Sequence, residues 1–199
     1  MSQPIEDALS SQAPRRSTVQ MLLRHPAHLI ALGAGSGLSP VAPGTVGTLW
    51  AWLVFAVLDK AWGHGASADL KWAWLLGIGT VVGWWACTYT ARSLRVADPS
   101  AVVWDEVLAF WLVLWVAGPL NLTGQCLAFA LFRFFDAVKP GPVAWADGLF
   151  KAGKGQPIGY AQGFGIIFDD LVAALCTLLV LAVGLKLHQQ GLIPWPFLS

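Results

Sequence analysis

The sequence predicts an all-α fold: a polytopic integral membrane helical bundle with about five transmembrane helices, some of them short or broken. Three observations predict it. Hydrophobic residues make up 56% of the chain and charged residues only 12%, against roughly 25% charged in an average soluble domain. Mean hydropathy is +0.62. Uncharged runs recur along the chain at lengths approaching the ~20 residues that a spanning helix needs. No stretch reads as a convincing strand. One membrane-embedded domain is expected over residues 28–199, preceded by a flexible cytoplasmic tail over 1–27. That tail is polar, carries Arg15 and Arg16, and lacks the apolar core of a secretory signal.

Residues 28–43 are uncharged and rich in glycine and proline, which suits a re-entrant segment. A first span is expected over 46–62 and a second over 72–91. Residues 107–132 are also uncharged, but Gly118, Pro119 and Gly124 interrupt them. Breakers at the centre of one helix are costly. The reading is therefore a helical hairpin, with arms at about 101–117 and 121–138 around the turn GPLNLTG. The last span is expected over 168–187.

Basic residues orient such a bundle, because cytoplasmic loops carry the excess of Lys and Arg. With the N-terminus inside, Arg15, Arg16, Arg24, Arg92, Arg95, Arg133, Lys139, Lys151 and Lys154 fall on the cytoplasmic side. Only Lys60, Lys71 and Lys186 fall outside. The formal net charge of +1 gives no global field that would recruit nucleic acid, so the expected surroundings are the lipid bilayer. Cys87, Cys126 and Cys176 lie in apolar runs without metal spacing and read as packing residues. The four histidines form no metal or catalytic motif.

Four segments gather on the cytoplasmic side. GAGSGLSPVAPGTVGT, residues 33–48, offers backbone N–H groups and hydroxyls that could receive an anion, without the Gly-Lys-Ser/Thr of a nucleotide loop. DPSAVVWDEVLAFW places Asp105 and Glu106 at a helix start. FRFFDAVKPGP places Arg133 and Asp136 three apart on one helix face, with Lys139 three further on. GFGIIFDDLVAA places Asp169 and Asp170 side by side, where a helix makes them diverge by about 100°. Each acid alone has an ordinary explanation as a charged helix end. Five carboxylates at one membrane face would repel one another, and a hard divalent cation with oxygen ligands would relieve that. The expectation is a Mg²⁺ site that handles a phosphate group.

At this point the chain resembles the bacterial phosphatidylglycerophosphatase A family. The resemblance runs from about residue 28 to 185 and rests on GSGLSPVAPGTVGT, VVWDE, FRFFDAVKPGP and GFGIIFDDLVAA, in that order. It implies a Mg²⁺-dependent, multi-pass enzyme of the bacterial inner membrane with its site facing the cytoplasm. Such an enzyme hydrolyses phosphatidylglycerophosphate to phosphatidylglycerol and phosphate. Carried onto this chain, it implies Asp105, Glu106, Asp136, Asp169 and Asp170 as catalytic and metal-binding residues. Substrate binding would fall to Ser36, Ser39, Gly44, Thr45, Arg133 and Lys139. Thr48 stands where the family often has serine, and Gly141 where it often has tryptophan.

Cysteine-based and phosphohistidine-based phosphatases are excluded, because their nucleophile motifs are absent. Asp147-Gly148 lacks the rest of the CDP-alcohol phosphotransferase signature. No DxD pattern accompanies the acids, so direct attack by water is favoured over an aspartyl-phosphate, with Asp136 a candidate general base. Two other classes share these features. One is a membrane cation transporter with intramembrane carboxylates; the other is an assembly protein whose acids are structural. Phosphate release from a lipid phosphate monoester separates the three.

Overall fold

The fold is that of a computed structural model, which describes residues 16–151 and 157–197. These residues form eight α-helices and one 3-10 segment, with no strand among them. The helices are α1 Val19–Arg24, α2 Pro26–Ala31, α3 Pro43–Trp62, α4 Ala66–Leu94, α5 Trp104–Ala117, α6 Leu122–Val138, α7 Pro142–Leu149 and α8 Tyr160–Gln189. The 3-10 segment, Gly33–Leu38, joins α2 to α3. The expected tail lies outside the described residues as far as residue 15. Beyond that point Val19–Arg24 is helical, with the Thr18 hydroxyl accepting from the Met21 N–H. Arg15 and Lys154, counted for orientation, also lie outside the described residues.

The expected hairpin is present. Gly118 and Pro119 end α5, and the Asn121 side chain caps α6 by accepting from the Gly124 N–H at 2.9 Å. The arms do not chiefly pack on each other. α5 lies at the centre, against α8, α3 and α4, and α8 also packs on α4, α6 and α7. Val107, Leu108, Ala109 and Phe110 of α5 are consecutive and all buried, so that helix is covered on every side, as befits a core element. Two indoles fix its rotation: Trp104 donates to the Gly79 carbonyl at 3.0 Å, and Trp111 to the Ala51 carbonyl at 2.8 Å.

The last helix begins eight residues earlier than expected. Its early glycines serve as contact points. A β-carbon at Gly163 would stand 1.8 Å from the Thr88 hydroxyl oxygen, and one at Gly165 would stand 2.6 Å from Phe150 Cβ. Close packing thus carries the helix through GYAQGFG, and Asp169 and Asp170 sit in its third turn rather than at its start.

Five long helices occupy the positions where five spans were expected, but one, α8, is long and apolar enough to cross a membrane by length and composition. With 14 residues α5 reaches about 21 Å and with 17 residues α6 about 25 Å, short of the ~30 Å hydrocarbon layer. Tryptophan, glycine and threonine dilute the apolar character of α3 and α4. The outer faces are nevertheless apolar. Leu49, Leu53 and Val57 on α3, Leu70, Trp74 and Ile78 on α4, and Leu175, Leu179 and Val183 on α8 form exposed stripes at four-residue spacing. Contiguous exposed apolar surface of this kind marks contact with lipid or protein.

Candidate active site

The acids expected from sequence converge on one cavity of about 280 Å³. It lies at the N-terminal ends of α3 and α5, the C-terminal end of α6 and the third turn of α8. Six carboxylates line it, from Asp98, Asp105, Glu106, Asp136, Asp169 and Asp170, against two cations, Arg133 and Lys139.

The carboxylates divide into two groups. In the first, ligand oxygens of Asp105, Glu106 and Asp170 all lie within 4.8 Å of one another. These residues are 8%, 9% and 4% exposed, and Asp105 Oδ1, Glu106 Oε2 and Asp170 Oδ2 are buried without a hydrogen-bond partner. Buried polar atoms are nearly always paired; these three are not, and the group could hold a cation. In the second group, Lys139 Nζ bridges Asp169 at 2.5 Å and Asp147 at 2.7 Å. Lys151 also pairs with Asp147. Burial opposes the charge on Lys139, but Asp147 and Asp169 outweigh it and raise the ammonium pKa. Burial likewise acts to raise Asp147, yet the two lysines hold it below the ordinary carboxylate range.

Arg133 joins the first group to α3. It pairs with Asp136 on its own helix, lies 3.7 Å from Glu106, and donates to the Thr48 hydroxyl at 3.5 Å. Thr48 in turn donates to the Gly44 carbonyl at 2.8 Å. The backbone of Gly44 passes so close that a β-carbon there would stand 2.2 Å from Glu106 Oε1 and 3.1 Å from Arg133 Nη2. Gly44→Ala is therefore expected to fold, because the clashing atoms end flexible side chains. It should lose at least about tenfold in activity, since Glu106 and Arg133 must move. Turnover alongside a thermal unfolding midpoint checks this; full turnover would show that the approach does no work.

Not every expected residue reaches the cavity. Ser36 Oγ donates to the Gly33 carbonyl at 2.9 Å and Ser39 Oγ to the Val41 carbonyl at 2.8 Å, so both shape the loop locally. Thr45 is half-buried on the first turn of α3 and does not line the cavity. The loop contributes instead through Ala42, Pro43 and Gly44, where the α3 N-terminus opens into the cavity without a side-chain cap. Such an end presents free N–H groups to an anion.

Two acids at the site escaped the sequence reading. Asp98 lines the cavity from the α4–α5 loop, and burial raises its carboxyl pKa, partly offset by Lys139. Asp147 holds Lys139 from α7. The signals were weak: an Asp-Pro turn and a lone Asp-Gly.

A larger cavity, of about 350 Å³, lies at the opposite end of α3, α5 and α6. Neither of its acids has an orphaned buried oxygen: Asp59 is partly exposed, 3.6 Å from His64, and Asp69 accepts from the Trp115 indole at 3.0 Å. The orphaned carboxylates make the smaller cavity the candidate site. None of the three cysteines lines it, so replacing Cys87, Cys126 and Cys176 together by alanine should keep most of the activity per folded protein. Loss of turnover with folding intact would reopen a thiol route.

The phosphatidylglycerophosphatase A family model matches residues 29–185. A phosphatidylglycerophosphatase A of Escherichia coli is 30% identical over 170 residues, 82% of this chain and 88% of that protein. One of Haemophilus influenzae is 33% identical over 158 residues, 79% and 88% of the two chains. A Bacteroides thetaiotaomicron protein, provisionally named a phosphatidylinositol-3-phosphatase, is 36% identical over 161 residues, 78% and 91% of the two. No solved structure matches the chain. The family match spans the 3-10 segment, every helix that lines the cavity and all of its acids, and the chain belongs to the phosphatidylglycerophosphatase A family.

Proposed function

We propose that this chain is a Mg²⁺-dependent lipid phosphatase that hydrolyses phosphatidylglycerophosphate to phosphatidylglycerol and inorganic phosphate. The observation that carries the reading is the set of three orphaned, buried oxygens from Asp105, Glu106 and Asp170 beside Arg133 and an uncapped helix N-terminus. An all-oxygen, all-carboxylate donor set fits a hard divalent cation. The names of the Escherichia coli and Haemophilus influenzae relatives supply the substrate.

Asp105, Glu106 and Asp170 would hold the ion, with Asp136 next to Asp170. Mg²⁺ bound there supplies positive charge that polarises the phosphoryl group and makes an attacking water more acidic. The residues do the rest. Arg133 and the N–H groups at the start of α3 receive phosphate oxygens, and Lys139 adds charge from the other side. Water attacks phosphorus directly, Asp136 takes its proton, and the bond to the glycerol oxygen breaks. In the net reaction that proton ends on the glycerol hydroxyl. The DE and DD pairing of the acids supports ligand roles over a free in-line nucleophile. Inversion at a chiral phosphorus would bear out single displacement; retention would make an aspartate the nucleophile.

We place the enzyme in the bacterial inner membrane, with five spans formed by α3, α4, α5, α6 and α8 and the site on the cytoplasmic side. The apolar outer stripes and the bias of basic residues support this. A reporter fused after Ser199 should then be active outside; activity inside would break the five-span topology. The enzymatic test is phosphate release by purified protein from phosphatidylglycerophosphate, with Mg²⁺, with chelator, and with Mg²⁺ restored. Phosphatidylinositol-3-phosphate serves as the competing lipid monoester. Release insensitive to chelation overturns the cation, preference for the inositol lipid overturns the headgroup, and release from neither overturns the enzyme.

A further inference from the structure

Asp169 and Asp170 are adjacent, yet they serve different groups. Asp170 joins Asp105 and Glu106, where three oxygens lack partners. Asp169 joins Asp147, and there the gap is filled: Lys139 Nζ lies 2.5 Å from one carboxylate and 2.7 Å from the other. Carboxylate-rich phosphatase sites often hold two metal ions, roughly 3.5–4 Å apart, to clamp both sides of an in-line displacement. Here the second pair of carboxylates already has a cation, supplied by the chain.

The backbone is bent to deliver it. Lys139 sits at the C-terminal end of α6 with φ 49°, a left-handed conformation that few residues with a β-carbon adopt. Pro140 follows and stops the helix, and α7 then brings Asp147 back over the ammonium group. A lysine ammonium is a compact point charge with three donors, suited to bridging two carboxylates while one donor faces the cavity.

We propose that Lys139 takes the place of a second metal ion, so that the site binds one divalent cation per chain and Asp147 is the positioning residue that holds Lys139 there. The inference rests on the divalent-cation reading above. Asp147 does not line the acid cavity and acts through the lysine.

The test is a Mn²⁺ titration of the purified full chain in detergent, with bound and free ion read by electron paramagnetic resonance. One Mn²⁺ per wild-type chain is expected, with no exchange-coupled pair signal. Two bound ions overturn the inference and leave the cation reading standing; no bound ion removes both. Lys139→Ala frees Asp169 Oδ2 and Asp147 Oδ1, with Lys151 still on Asp147 Oδ2, and should admit a second Mn²⁺; a count still at one overturns the substitution idea. Should that variant fail to fold, Asp147→Asn keeps the test open. It should bind one ion with affinity within about threefold of wild type while kcat falls at least about tenfold. Asp147→Glu should recover most of the loss. An Asp147→Asn variant with unchanged kcat, or with lost ion binding, overturns the positioning role.

Discussion

Asp170→Asn should abolish cation-dependent phosphate release and yet raise the stability of the metal-free protein. Asp170 is 4% exposed, and its Oδ2 is buried with no partner beside Asp105 and Glu106. Without an ion, each of these charges raises the energy of the folded state through desolvation and mutual repulsion. An amide of the same size removes one charge from the cluster, which should stabilise by about 1–3 kcal/mol. It also removes a ligand, and turnover should fall at least about a hundredfold, ~2.7 kcal/mol of transition-state stabilisation. Asp105→Asn and Glu106→Gln should behave alike. Binding to the folded state alone adds stability that grows with ligand concentration, so excess Mg²⁺ should reverse the order, with wild type the more stable. Thermal unfolding in chelator and in Mg²⁺ beside a phosphate assay checks all three claims. A variant that is active, or that is less stable than wild type in chelator, sinks the cation reading of the triad.

Arg133→Ala should cost both stability and activity. The guanidinium pairs with Asp136, lies 3.7 Å from Glu106, and reaches the Thr48 hydroxyl. Removing one partner of this half-buried pair leaves an uncompensated charge, at about 1–3 kcal/mol, and this site already carries more acids than bases. Activity should fall more than about a hundredfold if Arg133, which lines the cavity, receives phosphate oxygens as proposed. Arg133→Lys separates the two effects. It keeps the charge and should recover much of the stability, but a single ammonium cannot reproduce the fork that touches α3, α5 and α6 at once. Its activity should stay low. A lysine variant with full turnover would reduce Arg133 to a charge.

The helices and the acids were legible in the sequence for one reason: in a chain this apolar, a charge or a breaker stands out. Gly118-Pro119 marked a real turn, and DE, D and DD marked the cavity. The same logic failed where residue types have two uses. Gly163 and Gly165 fall before the span expected at 168–187, yet they lie within α8 and let it pack against Thr88 and Phe150. Ser36 and Ser39 look like anion donors, but their hydroxyls are satisfied by carbonyls two or three residues away. Asp98 sits in an Asp-Pro turn and Asp147 in a lone Asp-Gly, neither beside a second acid, and only the fold shows that one enters the cavity and the other grips Lys139. Gly44 was singled out as a substrate contact; the structure shows its backbone against Glu106 and Arg133, a closeness no spacing in the sequence records.

The contact between Gly163 and Thr88 has a consequence for how this family can vary. α8 is a single unbroken helix from Tyr160 to Gln189, and Asp169 and Asp170 lie two turns beyond the seat that Gly163 makes on α4. That seat sets the helix in phase. One residue gained or lost between positions 163 and 169 would turn both carboxylates by about 100°, swinging Asp170 away from Asp105 and Glu106 and Asp169 away from Lys139. Length changes are then forbidden within those seven residues. Insertions and deletions among functional relatives would stop at the glycine, much as a reading frame tolerates change only outside the coding stretch.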